Sequence, residues 1–307
     1  DAPPQAPGGR TPIPAHSDEL LASNDSGVGR VFCLHARLNG VAPQISAVFG
    51  DAGAAQTFPL RLADFMLIKQ SAHLWIGRPD AVKLMLGAAP EADRLGGADM
   101  HCSISGVGDK LFDEDGEALT WISRCIKLLP ARAGENPPAA PALAPEIPCE
   151  ILPKYIPADL NKPFDMRIVL RALIDADSWV ETQSDYAKEV LTGFARVAGG
   201  AIGVLANQSC ERGGILFPES CRKMTRFIQF CDAYGIPMLF VADNPGLMVG
   251  VDSEQAGMIR EASDLLRALA VCKTPRACLV IRKAYTVGLY AMSGPGFDPA
   301  NFWATPN

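Results

Sequence analysis

The stretch that decides the fold is Ala277–Ile281 followed by Ala284-Tyr285-Thr286-Val287-Gly288-Leu289-Tyr290-Ala291-Met292. A buried apolar run ends there in a turn holding one glycine, and a helix-like segment follows. Two other places read in a similar way. Ile202–Leu205 leads to Gly213-Gly214-Ile215-Leu216-Phe217-Pro218-Glu219-Ser220, and Pro237–Ala242 leads to Asn244-Pro245-Gly246-Leu247-Met248-Val249-Gly250. Strand, glycine-containing turn and helix start together present bare backbone N–H groups to developing negative charge. Convergent polar side chains are few in these loops, so the backbone is the expected source of chemistry.

Working outward, Met166 to Ile174 is expected to be a helix. Trp179–Glu181 and Glu189–Arg196 are expected strands, with Ala198-Gly199-Gly200 turning into the strand at Ile202. The spacing predicts helices over Ser220–Tyr234, capped by Ser220 with Phe227, Ile228, Phe230 and Cys231 inward, and over Glu254–Val271. Alternation of β and α indicates an α/β protein. Upstream, Ala131–Pro148 is dominated by Pro, Ala and Gly and reads as a linker, with Ile147–Pro163 extended. Before it, Val41–Phe49 is a strand candidate and Phe58–Leu67 begins as a loop. A helix is expected from Asp80, contacting through Val82, Leu84 and Leu86. Another covers Glu114–Leu129, with Leu119, Ile122, Ile126 and Leu129 on one face. The expected divisions are an extended segment 1–22, domains at 23–130 and 164–307, and a linker at 131–163.

Composition narrows the function. The 307 residues are 48% hydrophobic and 20% charged, which suits a globular enzyme of two domains rather than a disordered chain. A net charge of −6 without any Lys/Arg run argues against nucleic acid. No apolar stretch reaches the roughly 18 residues that span a bilayer, and residues 1–14 lack the order of a signal peptide. Nine scattered cysteines form no CxxC pair and only four histidines are present, so no metal site is expected. The cysteines read as small buried hydrophobes of a reducing compartment, cytoplasm or mitochondrial matrix. His73 and His101 read as structural, and Arg282-Lys283 as capping a strand.

Ordered motifs then carry a resemblance. Ala206-Asn207-Gln208, Glu219-Ser220-Cys221-Arg222-Lys223, Phe227-Ile228-Gln229-Phe230-Cys231-Asp232 and Pro245-Gly246-Leu247-Met248-Val249-Gly250 occur in sequence. Arg282-Lys283-Ala284-Tyr285 and Trp303-Ala304-Thr305-Pro306-Asn307 follow them, and Ile76-Gly77-Arg78-Pro79-Asp80 and His101-Cys102-Ser103-Ile104-Ser105-Gly106 precede them. Over Ser23–Asn307 the chain resembles the carboxyltransferase (β) subunit of biotin-dependent acyl-CoA carboxylases. The Leu247–Gly250 form is similar to the methylcrotonyl-CoA and geranyl-CoA branch, and the Arg282–Tyr285 tetrad to the propionyl-CoA and acetyl-CoA branch.

The resemblance implies two crotonase-like domains of β-β-α spirals, the second ending before the family's further strands. It implies transfer of CO2 from carboxybiotin to the α-carbon of an acyl-CoA, with the active site between subunits of a homo- or hetero-oligomer. Val287 and Gly288 match the N–H pair that serves the biotin ureido oxygen. Ala54 and Ala55, within Gly50–Gln56, match the pair that serves the thioester carbonyl. Gly246, Leu247, Thr286, Tyr290, Ala291 and Gln56 fall at matching substrate or biotin positions. A CoA phosphate is the alternative ligand for Arg282-Lys283. The family usually has glycine where this chain has Ala54, Ala55 and Thr286, and often at Val287. No Met-Lys-Met biotinylation motif or ATP-grasp loop is present, so a biotin carboxylase and biotin carrier are implied as partners. Two alternatives share the fold: an acyl-CoA decarboxylase, and a non-catalytic subunit paired with an active paralogue.

Overall fold

The computed structural model describes residues 27–305; the expected 1–22 segment lies outside them. In chain order the strands are β1 (Ile45–Val48), β2 (Ala52–Gly53), β3 (Phe65–Lys69), β4 (Leu74–Trp75), β5 (Lys110–Phe112), β6 (Val180–Thr182), β7 (Val190–Val197), β8 (Gly200–Asn207), β9 (Met238–Asn244), β10 (Arg276–Ala284) and β11 (Asn301–Ala304). The first half holds a three-stranded sheet, β1-β3-β5, and a small β2-β4 pair, all parallel. The second half is a six-stranded sheet in the order β11-β10-β9-β8-β7-β6. Strands β8 to β11 are parallel and β6-β7-β8 antiparallel. Parallel neighbours need crossovers. The Pro218–Ala233 helix joins β8 to β9, and the Met258–Val271 helix lies between β9 and β10. This is the repeated β-β-α arrangement of a crotonase-like fold.

The halves share one core. Phe65 of β3 meets Phe194 of β7 edge-on at 5.7 Å and Phe230 at 4.7 Å, with Trp121 at 6.1 Å on its other side. Aromatic pairs at these separations are favourable beyond the area they bury. Polar ties cross the same boundary. Arg226 donates to the buried Asp109 carboxylate at 2.7 and 3.0 Å, and Tyr234 donates its hydroxyl to Asp64 at 3.2 Å. Lys223, one helical turn before Arg226, is fully buried. Its ammonium donates to the carbonyls of Gln183, Tyr186, Ala187 and Val190 at 2.6–3.3 Å. That cage folds the 183–190 loop, in which Gln183 and Ala187 both hold positive φ.

Several expectations are corrected. The linker contains a 3-10 segment, Cys149–Lys154. Thr57–Leu62 is a helix before β3 begins, and Val28–Leu38 is a further helix that the sequence reading did not assign. The expected Glu254–Val271 helix is two, Val251–Gln255 and Met258–Val271, because Gly257 at φ 88° breaks the helical run. Ser220 is not the cap residue of its helix. It sits at the third position, where its Oγ accepts from Phe217 N at 2.8 Å. In the Asp115–Ile126 helix the buried face is Ala118, Trp121 and Cys125, because Trp121 reaches Phe65. Leu119 (62%) and Ile126 (58%) face outward, as do Leu84 (82%) and Leu86 (78%) of the Pro79–Leu86 helix. Their periodicity is real, but none of the described residues buries them. Among the cysteines, Cys149 and Cys210 are exposed, against expectation; all nine are free.

Candidate functional site

Two loops meet at the C-terminal ends of β9 and β10, where ligands of parallel sheets bind. Asn244, the last residue of β9, holds them together. Its Nδ2 donates to Gly288 O at 3.0 Å, its Oδ1 accepts from Gly246 N at 2.7 Å, and its backbone O accepts from Tyr285 N at 3.1 Å. The amide is fully buried, so each bond is made in a low dielectric and its loss is costly. Gly288 is required by this approach: a Cβ there would stand 2.9 Å from Asn244 Cγ and from Gly246 Cα. Gly246 holds φ 120°, a conformation for which glycine alone is unstrained.

An ion pair sets the strand ends from below. Asp243 accepts from Arg282 Nη2 at 2.7 Å and Nε at 3.3 Å, and from Lys283 N at 3.1 Å. The β9–β10 register slips between Val280 and Ala284, which turns this pair together before the loop begins. Arg282 Nη1 also donates to the carbonyls of Pro157, Asp159 and Lys162, and Lys283 Nζ to Leu160 O. The two cations are committed to the connector, in line with their structural reading.

Thr286 enters the short Val287–Ala291 helix at φ 48°, ψ −133°. That region is nearly reserved for glycine, and a β-branched residue held in it is strained by about 1–3 kcal/mol. Of the expected N–H pair, Gly288 N donates within the turn to Tyr285 O at 3.0 Å. Val287 N has no acceptor among the described residues, and Val287 is exposed. Tyr290 is 44% exposed on the same helix start, whereas Ala291 is buried in the core beside Met292 and turns away from the loop. Leu247 is partly buried against the core, next to the Leu216–Leu247 bridge. Met248, Val249, Val251 and Tyr285 form an exposed, largely apolar rim.

The second expected loop lies in the first half, on the β2-β4 pair. Ala54, Ala55 and Gln56 form one exposed 3-10 turn. Ala54 holds φ 52°, the left-handed conformation usual for glycine. Thr57 Oγ1 donates to Ala54 O at 2.7 Å and approaches Trp75 O at 3.3 Å, bracing the turn against β4. Behind it His73 lies between Asp51 and Asp93, each 2.9 Å from a ring nitrogen, and stacks on Trp75 at 5.0 Å. Burial lowers the His73 pKa, but the hydrogen bonds to the two carboxylates outweigh it and the net direction is upward. No described hydrogen bond joins this loop to Asn244, Thr286 or Gly288; the two sites are built separately.

Sequence reasoning missed Asn244, Thr57 and Trp75 as organisers. Asn244 was findable in principle, since an Asn before Pro-Gly at a strand end is a ready side-chain cap for the turn. Among the described residues no cluster of His, Cys, Asp or Glu could hold a metal, and no helix is long and apolar enough to cross a membrane.

The Carboxyl transferase domain family matches residues 16–307. The Uncharacterized carboxylase YngE of Bacillus subtilis is 38% identical over 91% of this chain and 55% of its own length. The propionyl-CoA carboxylase beta chain of Roseobacter denitrificans is 35% identical over 87% of this chain and 53% of its own length. A crystal structure of transcarboxylase 12S, described as a hexamer assembly with hydrolyzed methylmalonyl-coenzyme A bound, superposes with a TM-score of 0.87 at 30% identity. It covers 91% of this chain and 55% of that one. The chain thus spans about half the length of the relatives it matches.

Proposed function

The chain belongs to the carboxyl transferase domain family, and on that premise we propose that it moves CO2 from carboxybiotin on a carrier to the α-carbon of an acyl-CoA. The observation that carries this reading is the Asn244 clasp, which fixes Gly246 and Gly288, while Val287 N has no acceptor among the described residues. Carboxybiotin giving up CO2 would gather charge on its ureido oxygen and take the α-proton at N1′, and the acyl-CoA losing that proton would gather charge on its thioester oxygen before its α-carbon takes the CO2. A fixed N–H aimed at either oxyanion is worth on the order of 3 kcal/mol. Val287 would serve the first oxygen, and the N–H groups of Ala54 and Ala55 the second.

The residues fit the ligand. A ureido ring has a polar edge and apolar faces, and the two loops that flank Val287 carry exposed Met248, Val249, Tyr285 and Tyr290. Gly246 leaves room beneath, since a Cβ there would still be 3.7 Å from Thr286 Oγ1. Thr286 and Gln56 border the two sites. Nine free cysteines support a reducing compartment, cytoplasm or mitochondrial matrix. Exposed Leu84, Met85, Leu86, Leu119, Ile126, Val249, Val251 and Ile259 support an oligomer that covers them.

A second reading is a non-catalytic subunit paired with an active paralogue, favoured by Gly288 N–H being already bound to Tyr285 O. Against it, Ala54 and Thr286 keep positive φ at a cost that a retired loop has no reason to bear. The deciding assay supplies a biotin carboxylase, a biotinylated carrier and a panel of short, branched and long acyl-CoAs. Carboxylated product from any of them is the expected result. A folded protein that yields none, and that decarboxylates no malonyl-type thioester, is the structural partner instead.

A further inference from the structure

Arg61 is a half-buried guanidinium with donors to spare. It stands in the last turn of the Thr57–Leu62 helix. Among the described residues its one hydrogen bond runs from Nη1 to Ala63 O at 3.5 Å, the outer limit of such a contact, and it has no ion pair. Burial first, and Arg226 next, hold its pKa below the ordinary arginine value. A cation drawn out of water without a partner is costly. The carboxylates nearest to it are already engaged. Asp109 accepts from Arg226 at 2.7 and 3.0 Å and from Met66 N at 2.8 Å. Asp64 accepts from Asn39 Nδ2 at 3.1 Å, Gln44 N at 2.8 Å and the Tyr234 hydroxyl at 3.2 Å. A cleft of about 280 Å³ opens between the Thr57–Leu62 and Pro218–Ala233 helices, and Arg61, Asp64 and Arg226 line it. Of its two cations, Arg226 is spent on Asp109 and Asp64 O, and Arg61 is not.

Arg61 and Leu62 also line a second hollow, an apolar groove of about 600 Å³ between the Val28–Leu38 and Thr57–Leu62 helices. Phe32, Ala36 and Phe58 form its walls, and the rings of Phe32 and Phe58 tilt together at 5.8 Å. Both hollows stand open in the structure as it is, so a ligand meets Arg61 with no rearrangement. Neither includes a residue of the Ala54–Gln56 or Thr286–Gly288 loops.

We propose that Arg61 and this groove bind a carboxylate with an apolar tail, a free fatty acid, its head on the Arg61 guanidinium and its tail over Phe32 and Phe58. The charges select the head. One spare cation beside two aspartates balances one negative charge, which suits a carboxylate better than a doubly charged phosphate, and the guanidinium fork matches two carboxylate oxygens. The site goes beyond the carboxyl-transfer reading and uses none of the residues assigned to it.

The test titrates the full chain by calorimetry with sodium octanoate, with octanol, which keeps the tail without the charge, and with acetate, which keeps the charge without the tail. Octanoate is expected to bind saturably and more tightly than either, gaining about two- to fourfold per methylene over hexanoate. Arg61→Gln is expected to weaken octanoate about ten- to hundredfold, the worth of a charge-assisted bond. Without ligand, the same variant should match or exceed the parent's denaturant midpoint, because it removes a charge that has no partner. The inference is overturned by octanol binding as tightly as octanoate, by octanoate binding that Arg61→Gln leaves unmoved, or by no saturable octanoate binding. A lower midpoint in the unliganded variant, which would make Arg61 structural, or displacement of octanoate by free CoA also overturns it. Each of these leaves the acyl-CoA reading standing, since the carboxylation assay decides that.

Discussion

Asn244 and Gly288 are joined at 3.0 Å, side-chain amide to backbone carbonyl, across the ends of two adjacent parallel strands. The same amide holds Gly246 through its oxygen at 2.7 Å. One buried side chain thus sets the spacing of both loops at the sheet's C-terminal edge. Gly288→Ala would place a methyl group 2.9 Å from Asn244 Cγ and Gly246 Cα. It is expected to cost about 1–3 kcal/mol of stability by overpacking, measured by denaturant titration, and to lower carboxyl transfer more than CoA binding. An unchanged midpoint would mean that the loops separate freely.

Thr286→Gly tests strain directly. Releasing a β-branched residue from φ 48°, ψ −133° returns about 1–3 kcal/mol, against about 0.5–1 kcal/mol lost to glycine's greater freedom when unfolded. A net gain of about 1 kcal/mol is expected, visible as a higher melting temperature. A lower one would show that Thr286 Oγ1 makes contacts worth more than the strain.

Lys223 predicts a pH dependence. Burial pulls its ammonium from the ordinary lysine value down to about 7. Its folded pKa thus lies below the unfolded one. Between about 7 and 10.5 the folded chain binds fewer protons than the unfolded chain, so this residue makes stability rise with pH across that window and leaves it level below. Chemical denaturation at pH 7, 8, 9 and 10 reads the slope. A flat profile would show that the four carbonyls keep the ammonium charged. Lys223→Met leaves those carbonyls without a donor and is expected to cost about 3 kcal/mol or more.

The second half was the more legible in sequence because its strands are continuous apolar runs buried on both faces, bounded by turn residues. Ala277–Ile281 and Pro237–Ala242 each found their strand, short by two or three residues at the C-terminal end. Of those missing residues only Ala284 is apolar; Asp243 is buried by pairing with Arg282 and Lys283 across the sheet, and Asn244 by bonding to the Gly246 and Gly288 backbone. A single strand's composition cannot show that. The first half was harder. Its strands run two to five residues, and the Leu119/Ile126 and Leu84/Leu86 periodicities point outward. Hydrophobic spacing finds a face but not which neighbour covers it. The positive φ at Ala54 and Thr286 is not announced by either residue type; only the family's glycines at those positions pointed to it.

The ring cluster around Phe65 has a consequence for how the chain comes apart. Because Phe194 and Phe230 close on it from the larger sheet, neither half has a complete interior to retreat into. Melting should therefore be a single event, with calorimetric and van't Hoff enthalpies in agreement. Occupancy at the turn on β2-β4 would then slow proteolysis of the six-stranded sheet as much as of its own. Two loops with no hydrogen bond between them would thus share one fate.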